Sequence, residues 1–330
     1  MTDPDELATR LVEGDRQALA RSITLVESTR PDHRTAGAAL LDAVLAHTGG
    51  ATRLGVTGTP GAGKSTFIEE LGGHLTAAEH RVAVLAVDPS SRTSGGSILG
   101  DKTRMERLAR DPRAFIRPSP SGGSVGGVAR RTREATLLCE AAGFDVIVVE
   151  TVGVGQSEVA VADMVDCFSL IAAPGAGDEL QGMKRGIIEL ADVVVVNKAD
   201  GDLLPAARRA MADYRHAVHL LRPKHPGWQV PVLAASALEG TGVDDVWKAV
   251  EKLVARLRED EALDRLRAGQ AVAWMWDEIR ESLIDSFSHD AAVAERWSGI
   301  VEAVRAGRLS PTTAARRLLR AHGEGGQDGE

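Results

Sequence analysis

The sequence is poor in cysteine, and this scarcity excludes two kinds of site. Its 330 residues include two cysteines, Cys139 and Cys167, which lie far apart in the chain. Such a pair cannot build the disulfide framework of a small secreted domain, and no CxxC pair is present to hold a metal ion. Both cysteines stand among apolar residues, so we expect them to be small buried hydrophobic side chains.

Long apolar runs and runs of one charge are also missing. No stretch reaches the roughly 18 continuous apolar residues of a membrane span, and the acidic start at residues 1–4 is unlike a signal peptide. The net charge is −8, and no basic run is present that would bind a phosphate backbone. The sequence therefore predicts a cytoplasmic protein that binds neither nucleic acid nor a membrane.

Two of the nine histidines, His216 and His219, are separated by one helical turn and could share a metal ion. His225 follows them closely. A second interpretation is an exposed pair on a basic helix, because Arg215 and Arg222 stand beside them. The basic company favours this second interpretation.

Buried strands alternate with helices through the middle of the chain. Short continuous runs of Val, Leu and Ile indicate strands that are buried on both faces. Alternation of such strands with helices predicts an α/β fold with a doubly wound, mostly parallel sheet. The predicted strands lie at residues 53–57, 82–87, 146–149, 168–172, 193–196 and 230–234.

The sheet domain fills residues 51–258, and helices are expected before and after it in the sequence. Apolar residues at helical spacing predict an N-terminal helical segment over 1–50 and amphipathic helices over 259–322, while the polar end 323–330 predicts a disordered tail. The apolar positions of the C-terminal helices exceed what a thin layer buries within one chain, so a second subunit should cover them. They are Leu263, Leu266, Trp276, Ile279 and Leu283.

A glycine-rich run follows the first strand, leads into a helix and fits the pattern G-x-x-x-x-G-K-[ST]. Its glycines let consecutive backbone N–H groups turn towards a phosphate, and the helix N-terminus adds partial positive charge. We expect Lys64 to bridge the β- and γ-phosphates of a nucleotide and Ser65 to supply its hydroxyl to Mg²⁺. The run consists of Gly58, Thr59, Pro60, Gly61, Ala62, Gly63, Lys64, Ser65 and Thr66.

A second motif selects the base. Asn197, Lys198 and Asp200 follow directly after the strand at 193–196. The Asp200 carboxylate can accept hydrogen bonds from guanine N1–H and the 2-amino group, whereas adenine offers neither donor in that arrangement. Lys198 can lie across the base, and Asn197 can tie the loop to its neighbours. At the next strand end a backbone N–H can meet guanine O6, so GTP is predicted rather than ATP; this segment is Ser236, Ala237 and Leu238.

The strand at 146–149 is followed by Glu150, and Gly153 comes three residues later. A carboxylate at Glu150 can hold the magnesium ion, directly or through water, and the Gly153 N–H can sense the γ-phosphate. Small GTPases usually carry Asp at the first of these positions. Ras-like proteins keep a water-orienting Gln where this chain has Val154, although Gln156 and Glu158 are close. We therefore expect slow intrinsic hydrolysis and a partner that completes the site.

Longer strings of residues resemble those of the MeaB/ArgK-like GTPases, a family of metallochaperone-like proteins that serve adenosylcobalamin-dependent acyl-CoA mutases. The resemblance covers about residues 5–320. It rests on VDPSS (87–91), GGSILGDKTRM (95–105), RPSP (117–120), ETVGVGQSE (150–158) and PGAGDELQGMKRG (174–186).

The resemblance implies further site residues and partners. Asp88 and Asp101 would flank the first switch and, with Ser65 and Glu150, surround Mg²⁺, while residues 150–158 would form the second switch. The chain would bind GTP or GDP, form a homodimer through its C-terminal helices, and serve a client mutase, here methylmalonyl-CoA mutase. A third, partner-facing switch would contain Asp178, Glu179, Lys184 and Arg185.

Two other functions on the same fold stay open. One is a transport-linked P-loop kinase, a label that this family has carried, and the other is a nickel-inserting metallochaperone. The guanine motif and the lack of a separate acceptor-substrate domain argue against the kinase. The missing His-rich run and the missing Cys pair argue against the nickel protein. The leading hypothesis is a GTP-hydrolysing chaperone that gates cofactor loading or protects a cobalamin-dependent mutase.

Overall fold

The computed structural model describes residues 3–87, 105–118, 125–151, 157–174 and 185–325. The chain divides into two compact units, Met1–Gln270 and Ala271–Glu330. The first unit holds the sheet and the second is helical throughout its described part. In the described residues no helix is long and apolar enough to cross a membrane.

In the described residues, a single parallel sheet of seven strands forms the centre of the first unit, and it confirms the predicted α/β fold. The strand order is β3-β2-β4-β1-β5-β6-β7. Strands such as Val193–Val196 are buried along their whole length, which is why they read as unbroken apolar runs. The strands are β1 (Thr52–Gly58), β2 (Val82–Val87), β3 (Ala114–Arg117), β4 (Val146–Thr151), β5 (Cys167–Ala172), β6 (Val193–Val196) and β7 (Val232–Ala234).

Helices connect the strands and also precede them. Three N-terminal helices come before β1, and the others in this unit follow individual strands. The helices are α1 (Pro4–Val12), α2 (Arg16–Glu27), α3 (Pro31–Val44), α4 (Lys64–Ala77), α5 (Glu106–Arg110), α6 (Val125–Ala141), α7 (Ser157–Ala162), α8 (Arg185–Leu190), α9 (Leu204–His219) and α10 (Val243–Glu259). The next helix, α11 (Ala262–His289), begins in the first unit and continues into the second.

The second unit contains two further helices, α12 (Ala291–Arg305) and α13 (Pro311–Gly325), which pack against each other. The prediction placed the end of the last helix at His322 and the start of a disordered tail at Gly323. The helix instead continues to Gly325. The remaining tail residues, 326–330, lie outside the described part of the chain.

One strand, β3, is absent from the sequence-based prediction. It is only four residues long and stands at the edge of the sheet. Side chains of α2 cover it: the Arg16 guanidinium donates a 2.7 Å hydrogen bond to the Ala114 carbonyl oxygen, and Arg117 forms an ion pair with Glu27. The N-terminal helices therefore protect an edge strand that would otherwise expose its backbone.

The base of the sheet, away from the carboxyl ends of the strands, is closed by buried ion pairs. Arg53 in β1 pairs with Glu140 in α6 at 2.7 Å, and both side chains are buried. Asp166 accepts hydrogen bonds from the Arg53 backbone N–H at 2.8 Å and from the Arg267 guanidinium at 2.7 Å. The start of α11 is thereby held to the sheet, and Gln270 adds a 2.9 Å bond to the Val165 carbonyl oxygen.

This attachment corrects part of the predicted subunit-facing surface. Leu263 is buried in the main core beside the apolar face of α10, and Leu266 packs against that core. Neither side chain is therefore left on the surface for a second subunit to cover. Trp276, Ile279 and Leu283 are exposed, as the prediction requires of a contact surface.

The two cysteines are buried, as expected from their apolar surroundings. Burial raises the pKa of the Cys139 thiol and of the Cys167 thiol well above the ordinary range. Both thiols therefore stay protonated and unreactive at neutral pH.

Candidate guanine-nucleotide site

Four functional segments of the sequence meet at the carboxyl edge of the sheet. The glycine-rich loop follows β1, Glu150 lies near the end of β4, Asn197 follows β6, and Ser236 follows β7. Parallel α/β sheets bind ligands at this edge. The parallel topology therefore brings together residues that lie up to 178 positions apart in the sequence.

Glycines shape the loop between β1 and α4. At Gly58 an added Cβ would lie 2.0 Å from the Ile171 carbonyl oxygen of β5, so only glycine allows the two strands to pair here. Gly63 has a φ of 86° in the left-handed region, and α4 begins directly after it. No side chain caps this helix end, so its first N–H groups can bind an anion.

Lys64 lies buried within the curve of this loop. Its Nζ donates hydrogen bonds to the carbonyl oxygens of Gly58, at 2.8 Å, and Thr59, at 3.3 Å. A lysine held by two loop carbonyls keeps its ammonium group among the backbone N–H groups that face a phosphate. The tip of the loop, Pro60 and Gly61, is exposed, whereas Ala62 is buried and Thr66 is exposed on α4.

Ser65 and Glu150 bring two oxygen groups together beside the glycine-rich loop. The Ser65 hydroxyl donates a 3.0 Å hydrogen bond to the Glu150 Oε1, and Glu150 is 4% exposed. A hydroxyl and a carboxylate are hard oxygen ligands of the kind that Mg²⁺ prefers. The side chains present therefore fit the predicted ion.

A hydroxyl pair missed by the sequence analysis lies just beneath. Thr57 and Thr151 are fully buried on the paired strands β1 and β4, and their Oγ1 atoms are 2.8 Å apart. This hydrogen bond joins the residue before Gly58 to the residue after Glu150. This contact depends on the register of β1 and β4, so no local sequence signal could have found it.

Asn197 ties three loops together. Its Nδ2 donates to the Ala62 carbonyl oxygen at 2.9 Å, and its Oδ1 accepts from the Ala237 backbone N–H at 3.0 Å. The side chain is 1% exposed. The loop after β6 is thereby joined both to the glycine-rich loop and to the loop after β7.

Asp200 lies beside the loop that follows β7. Its carboxylate accepts a hydrogen bond from the Ser236 hydroxyl, which leaves its other oxygen lone pairs for a ligand. Lys198 has a φ of 57°, and its side chain passes close to Gly63. Leu238 is 84% exposed, so its side chain makes no part of the loop's packing.

Several predicted residues lie outside the described part of the chain. These are Asp88 and Asp101 of the first switch, Gly153, Val154 and Gln156 of the second, and Asp178, Glu179 and Lys184 of the third. Arg185 begins α8, but its side chain is not described. Glu158, near the start of α7, is 3% exposed.

The histidines lie apart from one another or on the surface. In the described residues no cluster of three or more His, Cys, Asp or Glu side chains is arranged to hold an ion. His216 and His219 are exposed on α9. His225 is buried and its Nε2 lies 3.2 Å from the Asp192 carboxylate. The basic-helix interpretation is the one that the geometry supports.

Comparison with known proteins adds a family to this geometry. A family model described as "Methylmalonyl Co-A mutase-associated GTPase MeaB" matches residues 19–292. A Mus musculus protein, "Methylmalonic aciduria type A homolog, mitochondrial", is 49% identical over 96% of this chain and 79% of its own length. "GTPase ArgK" of Escherichia coli is 48% identical over 94% of this chain and 93% of its own length.

A solved structure supports the same fold. The crystal structure of a protein described as "LAO/AO transport system kinase" is 41% identical and covers 97% of both chains. Its TM-score against this chain is 0.76. The fold is thus shared with a chain of nearly the same extent.

Proposed function

The chain belongs to the MeaB family of methylmalonyl-CoA mutase-associated GTPases, and we therefore propose that it is the GTP-dependent chaperone of an adenosylcobalamin-dependent acyl-CoA mutase. The proposed client is methylmalonyl-CoA mutase. The chaperone would gate the loading of the cofactor or protect the loaded enzyme, as a homodimer in the cytoplasm. The observation that carries the nucleotide part of this proposal is the Asn197 bridge between the glycine-rich loop and the two base-facing loops.

The proposed phosphate site uses the glycine-rich loop and its lysine. On binding GTP, the Lys64 ammonium leaves the Gly58 and Thr59 carbonyls and lies against the β- and γ-phosphate oxygens. The backbone N–H groups at the start of α4 face the same phosphates. Lys64 then offsets the negative charge that builds up on the oxygen between the β- and γ-phosphorus atoms as that bond breaks.

Ser65 and Glu150 would hold the magnesium ion, together with Asp88 and Asp101 of the first switch. The ion would supply a positive charge shared between the β- and γ-phosphates. In hydrolysis a water oxygen forms a bond to the γ-phosphorus, the bond to the β-phosphate oxygen breaks, and GDP and phosphate leave. Gly153 would sense the γ-phosphate through its backbone N–H.

The proposed base site reads guanine through Asp200. Its carboxylate would accept from guanine N1–H and the 2-amino group, while Lys198 lies across the ring and the Ala237 N–H lies near O6. Ser236 would orient the carboxylate, since its hydroxyl donates to it. ATP would leave a partly buried carboxylate unpaired, at a cost of roughly 1–3 kcal/mol.

A transport-linked kinase is the alternative, and one relative's structure carries that description. A kinase of that kind would transfer the γ-phosphate to an acceptor, and its products would include a phosphorylated protein or amino acid. Guanine specificity favours the GTPase. Release of inorganic phosphate in step with GDP, with GTP far better than ATP, separates the two.

The client is tested by the rate of GTP hydrolysis with and without the methylmalonyl-CoA mutase of the same organism. Unaided hydrolysis should be slow, on the order of 10⁻⁴ s⁻¹ as in Ras-like enzymes, because Val154 replaces the water-orienting Gln. The mutase should stimulate it at least about tenfold. We propose that the stretch 174–186 is reordered on docking, so Lys184→Ala should lose the stimulation.

Lys64→Ala serves as the inactive control, because it removes the cation that bridges the phosphates. It should lose turnover both with and without the mutase. Fast hydrolysis by the wild type alone, or a rate that the mutase leaves unchanged, argues against a client-dependent site. Turnover by Lys64→Ala at the wild-type rate would show that this loop is not the site.

A further inference from the structure

A basic cavity lies far from the nucleotide site, at the opposite edge of the sheet. It has a volume of about 510 Å³ and is bounded by the end of α8, the end of α9 and the segment before β7. Ala191 and Val230, which line it, stand just before β6 and β7, whereas the nucleotide loops follow the other ends of these strands. The proposed GTP site therefore makes no use of it. Its volume is in the range of ordinary ligand and peptide pockets.

The floor of the basic cavity is apolar and rigid. Ile188, Ala191 and Trp228 are each less than 9% exposed, and Val218 and Val230 also line it. The Trp228 indole Nε1–H donates a 2.9 Å hydrogen bond to the Asp192 carbonyl oxygen, which fixes the ring. An apolar group of an occupant would be buried against this floor.

The rim of the basic cavity carries most of its charge. Arg215, Arg222 and Lys224 line it together with His219, and Glu189 is the one carboxylate among the described lining residues. The surrounding stretch 204–225 contains five Lys or Arg residues and one Asp, in a chain whose net charge is −8. This local positive charge, in a chain whose net charge is negative, favours an acidic partner.

Structural roles account for only some of these cations. Lys224 donates to the buried Asp192 carboxylate at 3.1 Å, and Arg215 donates to the Val232 carbonyl oxygen at 3.4 Å. Arg222 lies beyond the end of that helix. Among the described residues neither Arg222 nor His219 has an ion-pair or hydrogen-bond partner. Both are free to bind an added anion.

The cavity also touches the helix that follows the predicted partner-facing switch. Ile188 and Glu189 belong to α8, a helix of six residues that begins at Arg185, the last residue of that switch. An occupant of the cavity contacts the far end of this helix. Leu220, which is 71% exposed, stands next to the rim and offers a further apolar contact.

We propose that the basic cavity docks an acidic segment of the client mutase, with an apolar side chain on the floor and carboxylates against Arg215 and Arg222. This inference rests on the proposed function, because it names a contact surface for that client. A free small-molecule anion is the competing occupant. Docking on α8 would give the client a contact with the helix that leads directly from the partner-facing switch.

The test is the affinity of the full chain for the methylmalonyl-CoA mutase of the same organism, measured by calorimetry with a non-hydrolysable GTP analogue. Arg215→Glu/Arg222→Glu should weaken binding at least about tenfold and flatten its dependence on salt, because charges at a contact rim act through long-range attraction. The matched control is Arg208→Glu/Arg209→Glu, an equal charge change on exposed residues of α9 outside the cavity. It should alter affinity less than about threefold.

Folding is checked by the binding of GTP and by unstimulated hydrolysis, which both double variants should keep. Arg222→Gln, a milder change, should weaken mutase binding in the same direction. If the wild type binds the mutase and the two double variants lose affinity equally, or neither loses affinity, the cavity is not the docking surface. The proposed function is unaffected by that result. Absence of any wild-type binding overturns the proposed function and this inference with it.

Discussion

At the scale of single residues, Asn197 does more for the site than its place in a base-reading motif suggests. Its amide uses a donor and an acceptor at once, one towards Ala62 and one towards Ala237. Loss of either bond would leave a buried polar group unsatisfied, at a cost of roughly 1–3 kcal/mol. One side chain therefore links the loops after β6 and β7 to the glycine-rich loop.

Replacing the Asp200 carboxylate, which accepts hydrogen bonds, with an amide that can donate them should change which base the site binds. Asp200→Asn places an N–H against guanine donors, so GTP affinity should fall by at least about 100-fold. Xanthosine triphosphate, which carries oxygen where guanine has the 2-amino group, should bind better to the variant than to the wild type. Calorimetry with both nucleotides measures this exchange.

Asp202→Asn is the matched control for that variant. Asp202 is exposed, two residues along the same loop, and takes no part in the described hydrogen bonds of the base-facing loops. Its substitution should leave both affinities within about twofold. GTP affinity that survives Asp200→Asn would remove this carboxylate from the base site.

The candidate residues could be named from the sequence because their motifs are local. The glycine-rich run and the segment around Asn197 each occupy a few consecutive positions at the end of an apolar strand. The bond between Thr57 and Thr151 could not be named, since it depends on the register of two strands that lie 94 residues apart in the sequence. Long-range pairing of this kind leaves no local pattern.

At the scale of elements, burial explains which strands were predictable. Central strands are covered on both faces and show continuous apolar runs, so β2 and β6 were predicted with their observed bounds. The edge strand β3 has four residues and stands close to Pro112 and Pro118, which are typical of loops. Its pairing with β2 and its cover by α2 come from tertiary contacts that no short window contains.

The helix α12 begins at a capping residue, Asp290, whose charged carboxylate also contacts a second helix. The Asp290 carboxylate accepts hydrogen bonds from the backbone N–H groups of Ala292, at 2.7 Å, and Val293, at 3.2 Å. The ring Nδ1 of His322 in α13 lies 2.7 Å from its second oxygen. The hydrogen bond with His322, followed by those from the backbone, holds the pKa of Asp290 below its usual range. One carboxylate thus joins two helices of the second unit.

Stability of these two helices should therefore depend on pH in the acid range. Because the folded state lowers the pKa of Asp290, its contribution is complete above the ordinary value of about 3.9 and is lost as the pH falls through the lower folded value. At neutral pH, Asp290→Asn keeps the cap but loses the charge. It should speed amide exchange of residues 291–325 by about threefold to tenfold.

Hydrogen-exchange mass spectrometry from neutral pH down to about pH 2.5 follows this difference, which should stay nearly constant above about pH 4 and shrink below it as the wild-type carboxylate takes up its proton. Asp285→Asn is the control. Asp285 lies in α11 and forms an exposed pair with His289, one turn further along that helix. Exposed pairs of this kind contribute little. A difference that stays constant with pH would exclude Asp290 as the titrating group.

At the scale of the whole molecule, α11 is the element that belongs to both units. Its first turns are part of the sheet domain: Leu263 lies in the core, Arg267 is bonded to Asp166, and Gln270 to Val165. A chain cut at Arg258 would lose these contacts along with the helices. The boundary for separating a GTPase unit from the C-terminal helices is therefore after Gln270 rather than at 258.

Beyond Gln270 the helix presents an apolar face to solvent. The exposed residues recur at intervals of three and four, which places them on one side of the helix. A contiguous apolar face of this kind marks a contact surface, and a self-complementary contact between two copies is the commonest way to cover it. The face consists of Val272, Met275, Trp276, Ile279 and Leu283.

Charges placed on this face should separate the proposed homodimer into monomers. In Ile279→Glu/Leu283→Glu, two carboxylates would have to be buried without partners, which costs several kcal/mol per group. Sedimentation velocity at about 10 μM should then give a monomer for the variant and a dimer for the wild type. Leu45→Glu is the control: Leu45 is 57% exposed, close to the 60% of Leu283, but lies in the N-terminal helical segment. A monomeric wild type, or a double variant that remains dimeric, would refute the assignment of this face.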